Sequence, residues 1–386
     1  MSNRIYLDHA ATAPEDKRVL EVMRKISAET YGNPSSIHKE GVAAKKILEE
    51  ARKNIADILR ARPDEIIFTS GGTESNNLAI FGAMGDVSKA HIIVSSIEHP
   101  SVLECVRELE RRGVEVTYVP VESDGIVSPK SVKNALRENT ALVSVMYANN
   151  EIGTVQPIAE IAKIIRQRNK AGGKALFHTD ACQAVNYLDM NVLKLGVDLM
   201  TFNASKIYGP KGIGALFVKR GVKLAPQIFG GGQERGLRSG TENVPAIAGF
   251  AEAMRIAEKM KWKESARLVK LRDFFISEIL SKTPDTVLNG SANERLPNNV
   301  NISFLGADAE EVIIALDARG IAASTGSACA NIGREGKVSD VILALDGDRI
   351  RAMGSVRFTL GRGTKKEDIA RVMRELCDIM EKLSSK

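Results

Sequence analysis

The chain has 386 residues, 44% hydrophobic and 26% charged, enough to bury a large core and too apolar for a disordered protein. Its formal charge of +6, from 54 Lys and Arg against 48 Asp and Glu, is mild and scattered. With no aromatic-rich RNA-binding signature and no zinc-finger spacing, a nucleic-acid partner is not expected, and no apolar run approaches the ~20 residues that span a bilayer.

The first residues, Met1-Ser-Asn-Arg-Ile-Tyr-Leu-Asp8, hold no apolar signal core, so a cytoplasmic location is expected. From about residue 64 to residue 218, strand-like apolar runs alternate with helical spacing. The runs are 65–69, 91–95, 114–118, 141–146, 175–178, 197–202 and 215–218, and the helical spacing shows in Ile158, Ile161, Ala162 and Ile165. Alternation of this kind predicts an α/β domain with a mostly parallel, doubly wound sheet. Ligands bind such sheets at the carboxyl ends of the strands, which makes the residues just beyond each run the candidates.

After the first run, Ser70-Gly-Gly-Thr-Glu74 places Gly72 and Thr73 at a helix start, where free N–H groups and the helix dipole attract an anion. The Gly-Lys-Ser/Thr ending of a P-loop is missing. His99 follows the second run, and an imidazole there can stack on a planar ring or move a proton near neutral pH. Asn149-Asn-Glu-Ile-Gly153 offers amide donors. Asp180 can hold a protonated ring nitrogen, and Gln183 can donate to a ring oxygen. Lys206 stands past the run 197–202 and before a glycine-rich turn, a position suited to forming an imine once burial or a nearby cation lowers its pKa.

Each residue alone has an ordinary reading: Thr73 and Asp180 as helix caps, His99 as a structural side chain, Lys206 as a solvated loop lysine. Together they make a phosphate cradle, a stacking group, an amide, a carboxylate and an imine-forming lysine, the set pyridoxal phosphate needs.

Farther on, a long helix is predicted from Thr241 to about Leu280, capped by Thr241 or Asn243 with Pro245 in its first turn. Strand-like runs at 299–304, 321–324 and 355–360, with helices at 310–319 and 365–383, predict a smaller α+β domain that the strand at 5–7 joins. The expected division is a large cofactor-binding α/β domain at 15–257 and a small domain at 1–14 and 258–386. Cys105, Cys182 and Cys377 fall in helical or buried segments, where cysteine acts as a small hydrophobe. Cys329 lies in Ser324-Thr-Gly-Ser-Ala-Cys-Ala-Asn-Ile-Gly-Arg334, a small, polar, glycine-rich stretch that reads as an exposed mobile loop.

This order of motifs resembles the pyridoxal-phosphate-dependent cysteine desulfurases of the NifS/IscS type, in the class-V aminotransferase-like family. The resemblance runs from Tyr6-Leu-Asp-His-Ala-Ala-Thr12 to Arg357-Phe-Thr-Leu-Gly-Arg362. Its most specific pieces are Ser70-Gly-Gly-Thr-Glu74, Glu98-His99, Asn149-Asn-Glu-Ile-Gly153, Thr179-Asp-Ala181, Lys206-Ile-Tyr-Gly-Pro-Lys-Gly212, Arg238-Ser-Gly-Thr241 and Ser324-Thr-Gly-Ser-Ala-Cys329.

The resemblance implies a type I pyridoxal-phosphate-dependent aminotransferase fold, with a mostly parallel sheet in the large domain and a smaller α+β domain beside it. By the same resemblance Lys206 holds the cofactor as an imine, Asp180 pairs with the pyridinium nitrogen, and His99 stacks on the ring and shuttles protons. Gln183 contacts the ring oxygen, and Gly72, Thr73, Asn203 and Ser205 surround the phosphate. Thr241 reaches the phosphate of a partner subunit, which implies a homodimer. Asn150 and Arg357 grip the substrate carboxylate, a task that suits the planar fork of arginine. Lys211 competes with Lys206 for the imine but sits inside the glycine turn.

The implied reaction turns L-cysteine into L-alanine, with Lys206 or His99 as base. The thiolate of Cys329 takes the sulfur as a persulfide and hands it to an iron–sulfur scaffold protein of the IscU type. Two features depart from the family pattern. Ser205 stands where members often have a histidine, so altered cofactor contact is expected. The chain also ends shortly after its last predicted helix, whereas several members carry a C-terminal tail that docks the scaffold protein, so a departure in docking mode is an expectation here. The alternatives are a selenocysteine lyase or cysteine-sulfinate desulfinase, neither needing the loop thiol, and a catalytically weak dimeric scaffold with Cys329 as an iron–sulfur ligand.

Overall fold

The computed structural model describes residues 4–84, 90–325 and 338–384. The strands are β1 Ile5–Tyr6, β2 Ile66–Thr69, β3 His91–Ser95, β4 Glu115–Val119, β5 Thr140–Ser144, β6 Leu176–Asp180, β7 Leu199–Asn203, β8 Gly214–Val218, β9 Thr286–Leu288, β10 Asn299–Phe304, β11 Ile321–Ala322 and β12 Ser355–Thr359. The helices of the first part are α1 Lys17–Glu29, α2 Lys39–Leu59, α3 Gly72–Ala83, α4 Pro100–Arg111, α5 Pro129–Ala135, α6 Ile158–Lys170 and α7 Val192–Leu195. The later ones are α8 Val244–Lys282, α9 Ala309–Ala318, α10 Asp340–Asp346, α11 Arg349–Met353 and α12 Lys366–Ser384.

Strands β2 to β8 form one sheet in the order β2-β8-β7-β6-β5-β3-β4. The pairs β3–β4, β3–β5, β5–β6 and β6–β7 are parallel, and β8 is antiparallel to both β7 and β2. Two antiparallel steps restore direction, so β2 runs with β7 and delivers its carboxyl end to the same edge. Apart from the edge strand β4, the sheet strands are buried on both sides, as a sheet covered on both faces requires. Phe177, Phe202 and Phe217 pack on one face with α2, α6 and the start of α8. Ile67, Val94, Leu142 and Leu216 pack on the other with α3 and α4.

Strands β9, β10 and β12 form a second, antiparallel sheet in the order β12-β10-β9. Its core joins Val300, Ile302 and Phe358 to Leu316, Leu376 and the far end of α8, and Phe275 meets Phe358 edge-on at 5.2 Å. The short β1 pairs in parallel with β11, and Ile5 and Leu7 are part of this second core, as the strand-like start of the chain predicts. Helix α8 is a 39-residue rod capped by Asn243, whose side chain accepts from the Ala246 N–H, with Pro245 in the first turn. Ile247, Phe250 and Met254 belong to the first core, while Leu268, Phe275 and Ile279 belong to the second.

Three local expectations change. Strand β6 continues through Asp180, because Thr179 and Asp180 pair with Met200 and Thr201 of β7, so Asp180 ends the strand instead of following it. Strand β5 stops at Ser144 rather than Met146. Thr73 is not the cap of α3; that place belongs to Gly71, with no capping side chain.

Candidate active site

The carboxyl edge of the large sheet opens into a cavity of about 300 Å³. Gly72, Thr73, His99, Asn150, Asp180, Gln183, Asn203, Lys206 and Arg357 all line it, so nine of the sequence candidates converge. A larger cavity of about 800 Å³ lies on the other side of the Ala10–Thr12 stretch, and it holds Lys211. Lys211 instead stands 3.8 Å from Glu15, which leaves Lys206 as the lysine of the convergent site.

The floor of the cavity is built by close approach. A Cβ on Gly72 would lie 2.9 Å from Cys182 Sγ and 3.1 Å from Asn203 Nδ2, so only glycine lets α3 start against β7. A Cβ on Gly214, at the start of β8, would lie 2.8 Å from Gly71 Cα. The uncapped start of α3 thus faces Asn203, with Ser205 Oγ 3.4 Å from Asn203 Oδ1. An uncapped helix start beside an amide and two hydroxyls is a donor set for an anion. Glu74 braces this turn: its Oε2 accepts the Ser70 N–H at 2.8 Å and its Oε1 accepts Arg238 Nε at 2.9 Å.

Asp180 is buried. Its Oδ2 accepts Asn76 Nδ2 at 2.7 Å and its Oδ1 accepts the Cys182 N–H at 2.9 Å. Asn76 Nδ2 also donates to Ser101 Oγ at 2.8 Å, and that hydroxyl is 2.8 Å from His99 Nδ1. His99 is the N-cap of α4. Burial pushes its pKa down, the Asp180 carboxylate opposes that, and Lys206 adds to it. On the sheet below, His178 is held between Ser144 Oγ at 2.9 Å and Thr201 Oγ1 at 3.1 Å, and burial lowers its pKa to about 4.

Lys206 Nζ donates to the Ala11 carbonyl, and Gln183 Nε2 donates to the Ala10 carbonyl at 3.0 Å. The strand-to-turn segment that begins the chain therefore forms one wall. Arg357 on β12 forms another: Nη1 donates to Asn150 O at 3.0 Å, Nη2 meets Asp8 Oδ1 at 2.8 Å, and its buried Nε has no hydrogen-bond partner among the described residues. Next to it, buried Glu151 accepts from Ser339 Oγ at 2.6 Å, and burial raises its pKa.

Thr241 is exposed and does not line this cavity. Cys329 lies outside the described residues. Of the other thiols, Cys182 is held protonated by burial, with its pKa far above the ordinary value, and burial pushes Cys105 up to about 12. Neither suits a nucleophile. Among the described residues no group of His, Cys, Asp and Glu could hold a metal ion.

Asn76 and Ser101 escaped the sequence reading as site residues, and Glu74 and Glu151 entered it only as members of the motifs 70–74 and 149–153. Asn76 had a usable signal, since it lies four residues after Gly72 and shares its helical face. Ser101 lies two residues after His99, close enough for the hydroxyl-to-ring contact of a helix cap.

The family model for class-V aminotransferases matches residues 5–372. The chain is 47% identical over 385 residues to the cysteine desulfurase IscS of Dictyoglomus turgidum, covering 99% of this chain and 96% of that one. A solved NifS-like protein superposes with a TM-score of 0.91 at 36% identity, over 98% of this chain and 99% of its own. A structure described as SspA in complex with cysteine superposes with a TM-score of 0.80 at 36% identity, over 92% of this chain and 98% of that one.

Proposed function

The chain belongs to the class-V aminotransferase family, and from that footing we propose that it is a pyridoxal-phosphate-dependent cysteine desulfurase that converts L-cysteine to L-alanine and carries the sulfur on Cys329. The observation that carries this reading is the convergence of Lys206, Asp180, His99 and the uncapped Gly71-Gly72-Thr73 turn on one cavity whose opposite wall is Arg357. The donor set fits the cofactor: an anion cradle at the start of α3, a carboxylate fixed by two N–H donors, an imidazole, and a lysine amine. When bound, pyridoxal phosphate supplies an electron sink for the pair left on the substrate α-carbon.

The chain's residues divide the remaining work. Lys206 provides the amine for covalent attachment, and Gly72, Thr73, Asn203 and Ser205 hold the phosphate. Asp180 is kept in place to pair with a protonated ring nitrogen. Arg357 and Asn150 hold the substrate carboxylate, and the Nε of Arg357, without a partner among the described residues, supports that assignment. Lys206 Nζ accepts the α-proton. Cys329, as thiolate, forms an S–S bond to the substrate sulfur while the C–S bond breaks. The C–S pair stays on the β-carbon, which takes the proton given up by the substrate thiol. Lys206 returns the α-proton, leaving a persulfide on the enzyme and alanine as product.

The working unit in this reading is a cytoplasmic homodimer, with Thr241 reaching the partner's phosphate site and an iron–sulfur scaffold protein accepting the sulfur. Its support is a segment that is firmly held yet exposes apolar surface. Arg52 meets Glu234 through two hydrogen bonds of 2.7 and 2.8 Å while Phe229 stays 82% exposed. We also propose the division into 15–257 and 1–14 with 258–386, supported by the separate apolar clusters.

The test is an absorption spectrum with pyridoxal phosphate, then with L-cysteine, with alanine and sulfide assayed alongside. The expected result is a visible band absent from Lys206→Ala and alanine formed by the wild type, with sulfur transfer lost in Cys329→Ala. A band without alanine would overturn the reading and favour the scaffold role.

A further inference from the structure

We infer that His99 works as a neutral hydrogen-bond donor and not as the base, and that Ser101 and Asn76 are positioning residues that hold it so. The reaction it would serve rests on the desulfurase reading, but the protonation of the ring is a property of this chain alone.

The argument starts at the N-terminus of α4. His99 Nδ1 accepts the backbone N–H of Ser101 at 3.1 Å. A backbone N–H can only donate, so Nδ1 must offer its lone pair. A second neighbour of the same atom is Ser101 Oγ at 2.8 Å. That contact has a direction too, because Nδ1 already presents its lone pair to the Ser101 N–H and a hydroxyl 2.8 Å away must then turn its proton toward it. Asn76 Nδ2, an amide nitrogen and hence a donor, lies 2.8 Å from Oγ and fills one of its two lone pairs. Asn76 is oriented in turn by Asp180 Oδ2, which accepts from the same nitrogen at 2.7 Å. A carboxylate tolerates only a donor at that distance, so the amide cannot be turned round without facing oxygen to oxygen.

Nδ1 therefore faces two donors, and the single proton of a neutral imidazole sits on Nε2. A second proton would have to enter on Nδ1, against the Ser101 N–H and in place of the Ser101 O–H. Burial works in the same direction. The charged groups acting on the ring are Asp180 at the end of β6, which favours protonation, and Lys206 after β7, which opposes it. With its lone pair occupied, the ring keeps Nε2–H as a fixed donor, and the proton from the substrate α-carbon goes to Lys206 Nζ. An uncharged imidazole held as a donor is an established way to polarise a reacting group without supplying a base.

The experiment uses the full-length protein labelled with ¹⁵N-histidine, with and without pyridoxal phosphate, followed by long-range ¹H–¹⁵N spectra between about pH 6 and 9. His99→Gln identifies the resonances. In the wild type, His99 should show one bare nitrogen and one protonated nitrogen, Nε2, unchanged through the range. Ser101→Ala keeps the backbone donor, the longer contact at 3.1 Å, and loses the shorter hydroxyl contact at 2.8 Å, so with the weaker of the two locks left its ring should take up a second proton or populate both tautomers at the acid end. Ser101→Thr, which restores a hydroxyl, should return toward the wild-type pattern. A wild-type ring carrying its proton on Nδ1, or a Ser101→Ala ring that titrates as the wild type does, would overturn the inference. Alanine formation, measured separately, tells the failures apart: a locked Nε2–H ring with no alanine sinks the desulfurase reading and leaves this one standing.

Discussion

Arg238 reaches across 164 residues of sequence to place Nε 2.9 Å from Oε1 of Glu74. The other oxygen of the same carboxylate accepts the Ser70 N–H, so Glu74 spans the turn that contains Gly71, Gly72 and Thr73. It also ties that turn to the segment leading to Thr241. Burial raises the Glu74 pKa, but the hydrogen bonds from Arg238 and Ser70 outweigh it, and the carboxyl sits below its ordinary value. A depressed carboxyl contributes stability above its unfolded pKa and loses it as the pH falls through the folded one. Charged hydrogen bonds of this kind are worth about 1.5–3 kcal/mol. Glu74→Gln and Arg238→Ala should each weaken pyridoxal phosphate binding by roughly 10-fold or more, and the double variant should be little worse than either single one. Absorbance titration with the cofactor measures this; additive losses would show that the two residues act independently.

Arg357 joins Asn150 and Asp8, and its Nε has no partner among the described residues. Lysine preserves the charge but loses the fork. Arg357→Lys should lower kcat/KM for L-cysteine by roughly 10- to 100-fold, mainly through KM, with the cofactor spectrum unchanged. Steady-state kinetics decide it, and an unaltered KM would place the substrate carboxylate elsewhere.

Glu98 neighbours His99 in sequence but is fully inside. Its Oε1 accepts from Ser95 Oγ and the Met146 N–H, both at 2.6 Å, while Oε2 has no partner among the described residues. Burial pushes the carboxyl from 4.5 up to about 8. Between those values the folded protein holds a proton that the unfolded chain has released, so this group makes stability fall as the pH rises, ending above about 8. Glu98→Gln should flatten that fall. Urea melts near pH 5 and pH 9 would show a smaller difference for the variant than for the wild type; equal slopes would mean Glu98 is ionised in the fold.

Gly214 has no room for a side chain, because its Cβ would stand 2.8 Å from the backbone of Gly71. Gly214→Ala should cost about 1–3 kcal/mol and lower Tm by several degrees. Pushing β8 from the Gly71 turn also disturbs the anion cradle, so cofactor affinity should drop with it. Calorimetry and cofactor titration together test the link, and a loss of Tm with undiminished affinity would break it.

Lys206, Asp180 and His99 were legible because strand periodicity marks where an edge lies, and polar residues at an edge stand out; Arg357, in the middle of β12, was named only through the family resemblance. Asn76 and Ser101 lie near the starts of α3 and α4, and there a polar side chain reads as filler until its partner is known. That partner comes from another strand, 104 residues away in the case of Asp180 and Asn76. The insertion of β8 between β2 and β7 was hidden for the same reason. Nothing in a five-residue apolar run tells which neighbour it pairs with or in which sense. The cap of α3 was misplaced onto Thr73 because hydroxyl residues usually take that role; here the close approach of β8 to the turn decides it.

Helix α8 has no break between Val244 and Lys282, a rod of about 58 Å with its first turns in one apolar core and its last in the other. Midway along it, Arg267 donates to the carbonyls of Gly361 and Thr364, fastening the rod to the strand end that follows Arg357. Such a shaft transmits torque. The second core cannot swing like a door on a loose strap; it can only twist as far as a continuous ladder of hydrogen bonds will flex. The registry between Arg357 on one side and Lys206 on the other is therefore set by the stiffness of a single element, and the two cores are geared to loosen together when the protein is heated.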